Sequence, residues 1–377
     1  MTTLASLIAQ YEGALLQRHG LQLLPSQRQA LAAMKRCRTK FAPRMVAQCN
    51  GCGSQQSVPH SCGHRACPHC QHHDSQVWLE RQLRALVPAT YFLVTFTLPA
   101  ELRGLAWGHQ KTVYPLLMQC AWQTLASFSR NDRQLKATPG AVGVLHTHSR
   151  RLDFHPHVHM VMPAAALDAA RGLWRTKCRT GGGYLFNHKA LAKVFRGKLI
   201  DAIKASGLNL PEQLPATWVV DCKAVGDGRQ ALLYLGRYLY RGVVQEADIV
   251  GNKDGQVTFR YRDAKTGKQA LRTLAGEDFL WLLLQHVLPK GLRRARNFGF
   301  LHPNSAQAVR LLQVLHLRPA RPPCAPAAMS SRPAWRCACG QPMTVLRRRL
   351  PPEVSDTCNV VHDKPDKPDP RAGHAQH

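Results

Sequence analysis

Apolar residues recur at helical spacing within residues 1–36, in LASLIAQYEGALL and again in SQRQALAAM after Pro25. This spacing predicts two helices, each with one buried face. From Tyr91 onward the pattern changes, and short apolar runs alternate with segments of helical periodicity. The runs are YFLVTFTLP, AVGVLHTH, HVHMVMP and TWVVDCKAV. Strands joined by short links favour antiparallel pairing, so we predict an α+β fold with a central antiparallel sheet flanked by helices.

The charge of the chain narrows the class of partner. Its 51 Lys+Arg against 22 Asp+Glu give a formal net charge of +29. Such an excess favours a nucleic-acid partner, because basic side chains release counterions when they neutralise phosphates. The most apolar run, Phe279 to Leu284, is far shorter than the roughly 20 residues of a membrane span, and the N-terminus lacks a signal-peptide pattern. We therefore expect no membrane partner and a cytoplasmic, nucleoid-associated protein of a prokaryote.

Cysteines form two CxxC pairs, Cys49-Asn-Gly-Cys52 and Cys67-Pro-His-Cys70, separated by 14 residues. Paired knuckles at this spacing are typical of a zinc ribbon or finger, in which four thiolates share one tetrahedral ion. We therefore predict a structural zinc site made of these four cysteines. The neighbouring Cys37, Cys62, His60 and His64 could replace a ligand or form a second site.

A second, weaker motif lies near the C-terminus, at Cys337-Ala-Cys339. Its possible partners in that region, Cys324 and Cys358, are poorly spaced for a common metal ion. We expect no metal site there.

The segment His155-Pro156-His157-Val158-His159 carries the most specific chemistry. Alternate residues of a strand share a face, so His157 and His159 present two imidazoles together while Val158 points into the core. His146 on the preceding strand is the leading third ligand, and His148 has the same parity. Pro156 disturbs strand pairing near His155. We therefore expect His155 to contact a phosphate or one of the metal-binding side chains. Mg²⁺ or Mn²⁺ would suit phosphoryl transfer, although histidines also bind zinc.

Two tyrosines stand four residues apart in the predicted helix RQALLYLGRYLYR, at Tyr234 and Tyr238, and therefore share a helix face. Tyrosine pairs at this spacing are more often packing residues, but here they accompany a predicted metal site. A tyrosinate that attacks phosphorus leaves a free 3′ hydroxyl and a 5′-phosphotyrosine, which preserves the phosphodiester energy for rejoining. Arg237 and Arg241 are candidate phosphate contacts.

In this order, these segments resemble the HUH endonucleases (His-hydrophobe-His plus tyrosine). They most closely resemble the rolling-circle transposases of the insertion-sequence ninety-one group. The resemblance runs from about Cys37 to Phe300. It rests on CRT (37–39), SCGHRACPHCQ (61–71), TFTLP (95–99), VLHTHSRRLDFHPHVHMVMP (144–163), YLGRYLYRG (234–242) and HVLPKGLRRARNFGFL (286–301).

The resemblance implies an HUH-endonuclease core behind an N-terminal zinc domain. By motif position, His157 and His159 would bind the catalytic metal, and Tyr234, Tyr238 or both would act as nucleophiles. The implied activity is metal-assisted nicking and rejoining of single-stranded DNA at the ends of a mobile element and at its target.

With this resemblance, the chain divides into five segments. We expect N-terminal helices (1–36), a zinc-ribbon-like zinc-binding domain (37–86), an HUH catalytic domain (88–245), a hairpin and helix that complete the core (246–300), and a basic, Pro-rich, largely disordered tail (301–377).

Two alternatives account for part of these features. A conjugative relaxase or a plasmid replication initiator would use the same chemistry, but relaxases usually place the tyrosine before the histidines. A non-catalytic zinc-finger DNA-binding regulator would explain the charge and the CxxC pairs, but not HPHVH together with YLGRY.

Overall fold

The structure, a computed structural model, describes residues 3–68, 70, 72–177, 185–240, 243–263, 266–315 and 336–353. Its N-terminal part consists of α1 (Leu4–His19), α2 (Pro25–Arg36), β1 (Arg44–Cys49), β2 (Gln55–Pro59) and α3 (His72–Arg84). Both predicted N-terminal helices are present. Pro25 is the first residue of α2, a position where its missing N–H has no helical acceptor to lose.

The middle part alternates strands and helices. It consists of β3 (Tyr91–Thr97), α4 (Arg103–Gly108), α5 (Gln110–Asn131), β4 (Thr138–His148), β5 (Phe154–Pro163), β6 (Ala165–Asp168), β7 (Leu173–Thr176), α6 (His188–Ala205), β8 (Val220–Ala224) and α7 (Arg229–Tyr240).

The C-terminal part begins with a three-stranded meander. The elements of this C-terminal part are β9 (Ile249–Lys253), β10 (Gln256–Arg262), β11 (Gln269–Ala275), α8 (Gly276–Leu284), β12 (Ala295–Gly299), α9 (Ala306–Leu315) and β13 (Met343–Leu350). The meander is formed by β9, β10 and β11. Within the described residues, no helix is long and apolar enough to cross a bilayer.

A seven-stranded sheet forms the centre of the molecule, with strand order β7-β6-β4-β5-β3-β8 and with β12 also paired to β4. The paired strands run antiparallel. The predicted α+β fold with a central antiparallel sheet is therefore confirmed.

Each face of this sheet is covered by a different set of helices. Val158 and Met160 of β5 share one core with the buried residues of α5 and α6. Val161, on the opposite face, joins a second core with Leu232 and Leu235 of α7. Because side chains alternate along a strand, the face of β5 that carries His157 and His159 is the face turned toward α7.

Gly228 fixes the start of α7. It adopts φ +83°, and a Cβ atom at this position would lie 2.7 Å from the ring of Tyr91. Any side chain would therefore clash with the central sheet as well as strain the backbone. The glycine allows α7 to begin directly against the sheet, and α7 then carries Tyr234 and Tyr238 over the histidines.

Residues 246–300 only partly complete the core of the central sheet, contrary to the sequence expectation. β12 does join that sheet, but β9–β11 form a separate sheet with order β11-β10-β9. Phe259 of β10 and Phe279 of α8 pack with Leu7 of α1 and Leu31 of α2 in a core of their own. The reason is that α1 and α2 each have an apolar face to bury, and α8 offers the surface that covers both.

The expectation of a largely disordered tail over residues 301–377 is wrong for two segments. The helix α9 buries Val309 and Leu312, and β13 pairs antiparallel with β1, with Cys49 opposite Met343. A strand edge offers unpaired backbone groups, and the alternating start of MTVLRRRL suits that edge. Residues 316–335 and 354–377 lie outside the described part of the chain.

Candidate active site

Three histidines meet on the face of the central sheet that lies beneath α7. His146 is directly opposite His157 in the β4–β5 pairing, and His159 follows two residues later on the same face. One ring nitrogen from each lies within 4.8 Å of the others. The structure therefore brings together the preferred pair, His157 and His159, and the leading third candidate, His146, and these three could hold one metal ion.

Hydrogen bonds orient two of these imidazoles. The Nδ1–H of His157 donates to the carbonyl oxygen of His155 at 2.7 Å, and the Nδ1 of His159 lies 2.8 Å from the Thr95 hydroxyl. Both contacts engage Nδ1 and leave Nε2 for a ligand. The Nε2 of His146 is buried and has no hydrogen-bond partner among the described residues. A buried polar atom without a partner is costly unless something such as a metal ion satisfies it.

Burial keeps the three imidazoles neutral. Loss of solvent lowers the pKa of His157 to about 4 and that of His159 to about 3, with the neighbouring His157 lowering the latter further. Burial also lowers the pKa of His146, with further contributions from His159 and His157. A neutral imidazole is the form that binds a metal, so these side chains need not lose a proton near pH 7.

The two candidate tyrosines occupy different environments. Tyr234 is 47% exposed, and its ring centroid lies 6.2 Å from that of His159. Tyr238 stacks on His146, with ring centroids 3.1 Å apart, and its hydroxyl accepts a hydrogen bond from the backbone N–H of Thr147 at 3.3 Å. Burial raises the pKa of both phenols, and in Tyr234 the positive charge of Arg150 partly offsets the increase.

The other predicted site residues lie around this centre. A register irregularity separates His146 from His148 in the β4–β5 pairing, and His148 stacks on Tyr238 at 4.7 Å instead of joining the three histidines. The Nδ1 of His155 accepts a hydrogen bond from Arg103 at 2.7 Å. Arg237 is exposed on α7. The predicted phosphate contact Arg241 lies outside the described residues.

Two further residues, which the sequence motifs did not indicate, support the site. Thr95 lies opposite His159 in the β3–β5 pairing. The motif TFTLP is part of the family resemblance, and aligning it with HPHVH as a neighbouring strand would have indicated this contact. His286 is buried, and its Nε2–H donates to the carbonyl oxygen of Leu152 at 3.0 Å. Its ring lies 5.0 Å from that of His148, a contact that no local pattern predicts.

Eight cysteines of the described residues form two clusters, and the predicted grouping of Cys49, Cys52, Cys67 and Cys70 around one ion is wrong. The first cluster combines the second CxxC pair with Cys37 and Cys62, whereas the first pair lies beside Cys337 and Cys339. Cys337 and Cys339, where we expected no metal site, thus lie close enough to the first pair to share an ion with it. The physical reason is that β13 pairs with β1 and places the C-terminal cysteines against the end of that strand.

The first cluster has the dimensions of a tetrahedral zinc site. Its sulfur atoms lie 3.6 Å apart for Cys37–Cys70, Cys62–Cys70 and Cys37–Cys67. Zn–S bonds of about 2.3 Å imply sulfur–sulfur edges of about 3.8 Å in a tetrahedron. Hydrogen bonds from the Cys62 and Cys67 thiols lower the pKa of Cys37 to about 7, which favours the thiolate that binds zinc.

Comparisons with known proteins agree with these observations. A family model described as "Putative transposase" matches residues 140–308, the part with the histidines and tyrosines. A second, described as "Transposase zinc-binding domain" of the insertion-sequence ninety-one type, matches residues 7–98.

Two relatives match most of the chain. A "Putative transposase" of Sinorhizobium fredii (strain NBRC 101917 / NGR234) is 32% identical over 302 residues, which cover 74% of this chain and 75% of the relative. The transposase for insertion sequence element IS801 of Pseudomonas savastanoi pv. phaseolicola is 28% identical over 278 residues, 66% of this chain and 65% of the relative. With its zinc-binding N-terminal part and the three histidines on its central sheet, the chain belongs to the transposases of the insertion-sequence ninety-one group.

Proposed function

We propose that this transposase nicks and rejoins single-stranded DNA at the ends of a mobile element through a 5′-phosphotyrosine intermediate, in rolling-circle transposition. Its partners would be the element ends and the target DNA. The observation that carries the proposal is the position of Tyr234, an exposed phenol beside the three histidines of the sheet. A candidate nucleophile and candidate metal-binding side chains thus lie together where a large substrate has access.

His146, His157 and His159 would hold the divalent ion. The buried Nε2 of His146, which has no hydrogen-bond partner in the described part of the chain, and the Nδ1 hydrogen bonds of the other two support this assignment. A Mg²⁺ or Mn²⁺ ion held there would act as a Lewis acid on the scissile phosphate. Three protein ligands leave room for oxygen atoms of the substrate, as a catalytic rather than a structural metal site requires.

Tyr234 is the nucleophile that the geometry favours. Its ring lies 6.3 Å from His146 and 6.2 Å from His159, and almost half of it is exposed at 47%. A phosphate could therefore reach the phenol and the histidines together. Tyr238 is stacked on His146, and its hydroxyl accepts a hydrogen bond from the N–H of Thr147. In this arrangement Tyr238 positions a metal-binding histidine.

The reaction is a transesterification. The phenol oxygen of Tyr234 forms a bond to phosphorus, the bond from phosphorus to the 3′ oxygen breaks, and the DNA leaves with a 3′ hydroxyl. The phenol proton passes to solvent, and the departing oxygen takes a proton from solvent. Rejoining reverses these steps with a 3′ hydroxyl as the attacking group, so no external energy source is required.

Basic side chains around the site would hold the DNA backbone. Arg237 is exposed three residues after Tyr234 on α7, so it projects near the same face. Burial raises the pKa of the Tyr234 phenol, and the nearby charge of Arg150 offsets part of that rise. His155, which accepts a hydrogen bond from Arg103, lies two residues before His157 on β5. Such contacts position phosphates without reading sequence.

The test is covalent capture on single-stranded DNA. The full chain is incubated with a labelled single strand that carries the element end, with Mg²⁺ or Mn²⁺, and the products are separated on a denaturing gel. Wild type should form a protein–DNA adduct, Tyr234→Phe should abolish it, and Tyr238→Phe should retain it. Tyr261→Phe, on β10 and outside the site, is the matched control and should behave as wild type.

The other outcomes separate the alternatives. An adduct that survives in Tyr234→Phe and disappears in Tyr238→Phe would reverse the assignment of the nucleophile. Loss in both single variants would indicate that each tyrosine is needed. If wild type binds DNA and forms no adduct under any of these conditions, a non-catalytic DNA-binding protein becomes the better explanation.

A further inference from the structure

The C-terminal cysteines lie beside the first CxxC pair of the zinc-binding domain. One sulfur atom from each of Cys49, Cys52, Cys337 and Cys339 lies within 4.8 Å of the others. We propose that these four cysteines bind a second structural zinc ion, which fastens the C-terminal strand β13 to the N-terminal hairpin β1–β2. Neither family match, 7–98 or 140–308, reaches Cys337.

The sulfur atoms have the spacing of a tetrahedral site. Cys49 and Cys339 lie 3.4 Å apart, and Cys52 and Cys337 lie 3.6 Å apart, in each case between Sγ atoms. These distances approach the sulfur–sulfur edge of about 3.8 Å that Zn–S bonds of about 2.3 Å impose, and they are much longer than a disulfide bond of about 2.05 Å. Four thiolates and no open position describe a structural zinc site rather than a catalytic one.

Both ligand pairs lie on tight turns with backbone groups directed toward sulfur. The N–H groups of Gly51 and Cys52 point at Cys49 Sγ, at 3.4 and 3.5 Å. On the other side, Gly340 adopts φ +84°, and its N–H donates to the Cys337 carbonyl at 2.8 Å. Backbone N–H groups aimed at sulfur stabilise a thiolate, as a metal ligand requires.

Apolar packing alone offers little to hold these turns together. The buried cluster at this point consists of Ala47, Cys49, Cys337 and Met343, two of which are the proposed ligands. An ion pair between Arg44 and Glu353 at 2.9 Å lies at the surface, where such pairs contribute about 0–1 kcal/mol. A core this small usually needs a metal ion or a disulfide to be stable.

A zinc ion here would close a very long loop. Cys49 and Cys339 are 290 positions apart in the sequence, so the ion would join the zinc-binding domain to a segment beyond the catalytic sheet. It would also hold the basic strand β13, in which Arg347 and Arg349 are exposed, against β1. The site would therefore fix a positively charged strand on the zinc-binding domain, and it does not depend on the proposed catalytic chemistry.

The test compares cobalt and zinc binding in full-length variants kept under reducing conditions. Co²⁺ bound by thiolates absorbs strongly through sulfur-to-metal charge transfer, whereas a histidine site does not. Replacing Cys337→Ser together with Cys339→Ser should halve this absorption and remove one equivalent of zinc. Cys49→Ser with Cys52→Ser should do the same, and combining all four substitutions should cause no further loss, because they share one ion.

Cys120→Ala is the matched control, since this buried cysteine of α5 lies outside both clusters, and it should retain the full signal. Full cobalt absorption in Cys337→Ser/Cys339→Ser would overturn the proposal, as would a zinc loss that is additive between the two pairs. If a variant fails to fold, alkylation of the wild type decides the matter. Cys49, Cys52, Cys337 and Cys339 should resist iodoacetamide until a chelator is added, and their immediate modification would refute the site.

Discussion

The ring of Tyr238 lies parallel to the imidazole of His146, with centroids 3.1 Å apart and planes 9° apart. The sheet also holds His146 in place, because His146 lies directly opposite His157 in the pairing of β4 with β5. Helix α7 thus carries one tyrosine that packs against a histidine and another, Tyr234, that is exposed beside it. Two phenols four residues apart need not have the same role.

Truncating Tyr238 should damage the histidine group more than removing its hydroxyl does. Tyr238→Ala removes a ring that supports His146, and aromatic-to-alanine changes in a core cost about 3–5 kcal/mol. Tyr238→Phe keeps the stack but leaves the Thr147 N–H without its acceptor, at a cost of about 1–3 kcal/mol. Urea unfolding measures both costs, and a Mn²⁺ titration should show weaker binding for Tyr238→Ala than for Tyr238→Phe. Equal Mn²⁺ affinity in the two variants would contradict the packing role.

Local periodicity predicted the parts of the fold that depend on a single segment. The alternation in HVHMVMP placed His157 and His159 on one face and Val158 on the other, and the structure has them so. His146 was placed as well, because β4 and β5 are joined by a short link and pair directly. Parity assigns each side chain to a face of its strand, but it gives no sign of the register irregularity that separates His148 from His146.

Contacts between distant segments could not be predicted in the same way. The two CxxC pairs looked like one site because pairs close in sequence often share an ion, but here each pair recruits other cysteines. Cys337 and Cys339 reach Cys49 only because β13 pairs with β1, and the poor spacing of the C-terminal cysteines gave no sign of that pairing. The place of α8 against α1 and α2 is a similar case, since any apolar helix face could have covered them.

Thr95→Val should weaken metal binding without unfolding the protein. The Thr95 hydroxyl lies 2.8 Å from Nδ1 of His159 and fixes the orientation of that ring. Losing such a partner typically costs 10–100-fold in metal affinity. The measurement is Mn²⁺ affinity by titration, together with thermal unfolding to confirm the fold. Thr97→Val is the control on the same strand, because the facing His157 is oriented by the His155 carbonyl instead. A similar loss in both variants would argue against the specific contact.

Cys37→Ser should remove one zinc ion, although Cys37 belongs to neither CxxC pair. Its sulfur lies 3.6 Å from that of Cys70 and 3.6 Å from that of Cys67, and it also joins the core formed by α1, α2 and α8. Loss of a structural metal site typically lowers the free energy of unfolding by about 4 kcal/mol or more. We therefore expect a decrease of that order in urea unfolding. Zinc content measured by mass spectrometry should fall by one equivalent per chain. Unchanged zinc content would restore the grouping of Cys49, Cys52, Cys67 and Cys70.

His286→Gln should make the protein less sensitive to acid. Burial lowers the pKa of His286 to about 3, whereas an unfolded histidine titrates near 6.5. The unfolded chain therefore binds an extra proton between these values, and stability falls as the pH drops from about 6.5 toward 3, by up to about 1.4 kcal/mol per pH unit. Glutamine can donate to the Leu152 carbonyl without titrating, so between pH 6.5 and 5 the variant should lose about 2 kcal/mol less than wild type. Urea unfolding across this range tests the slope rather than the absolute stability, and a slope equal to that of wild type would contradict the prediction.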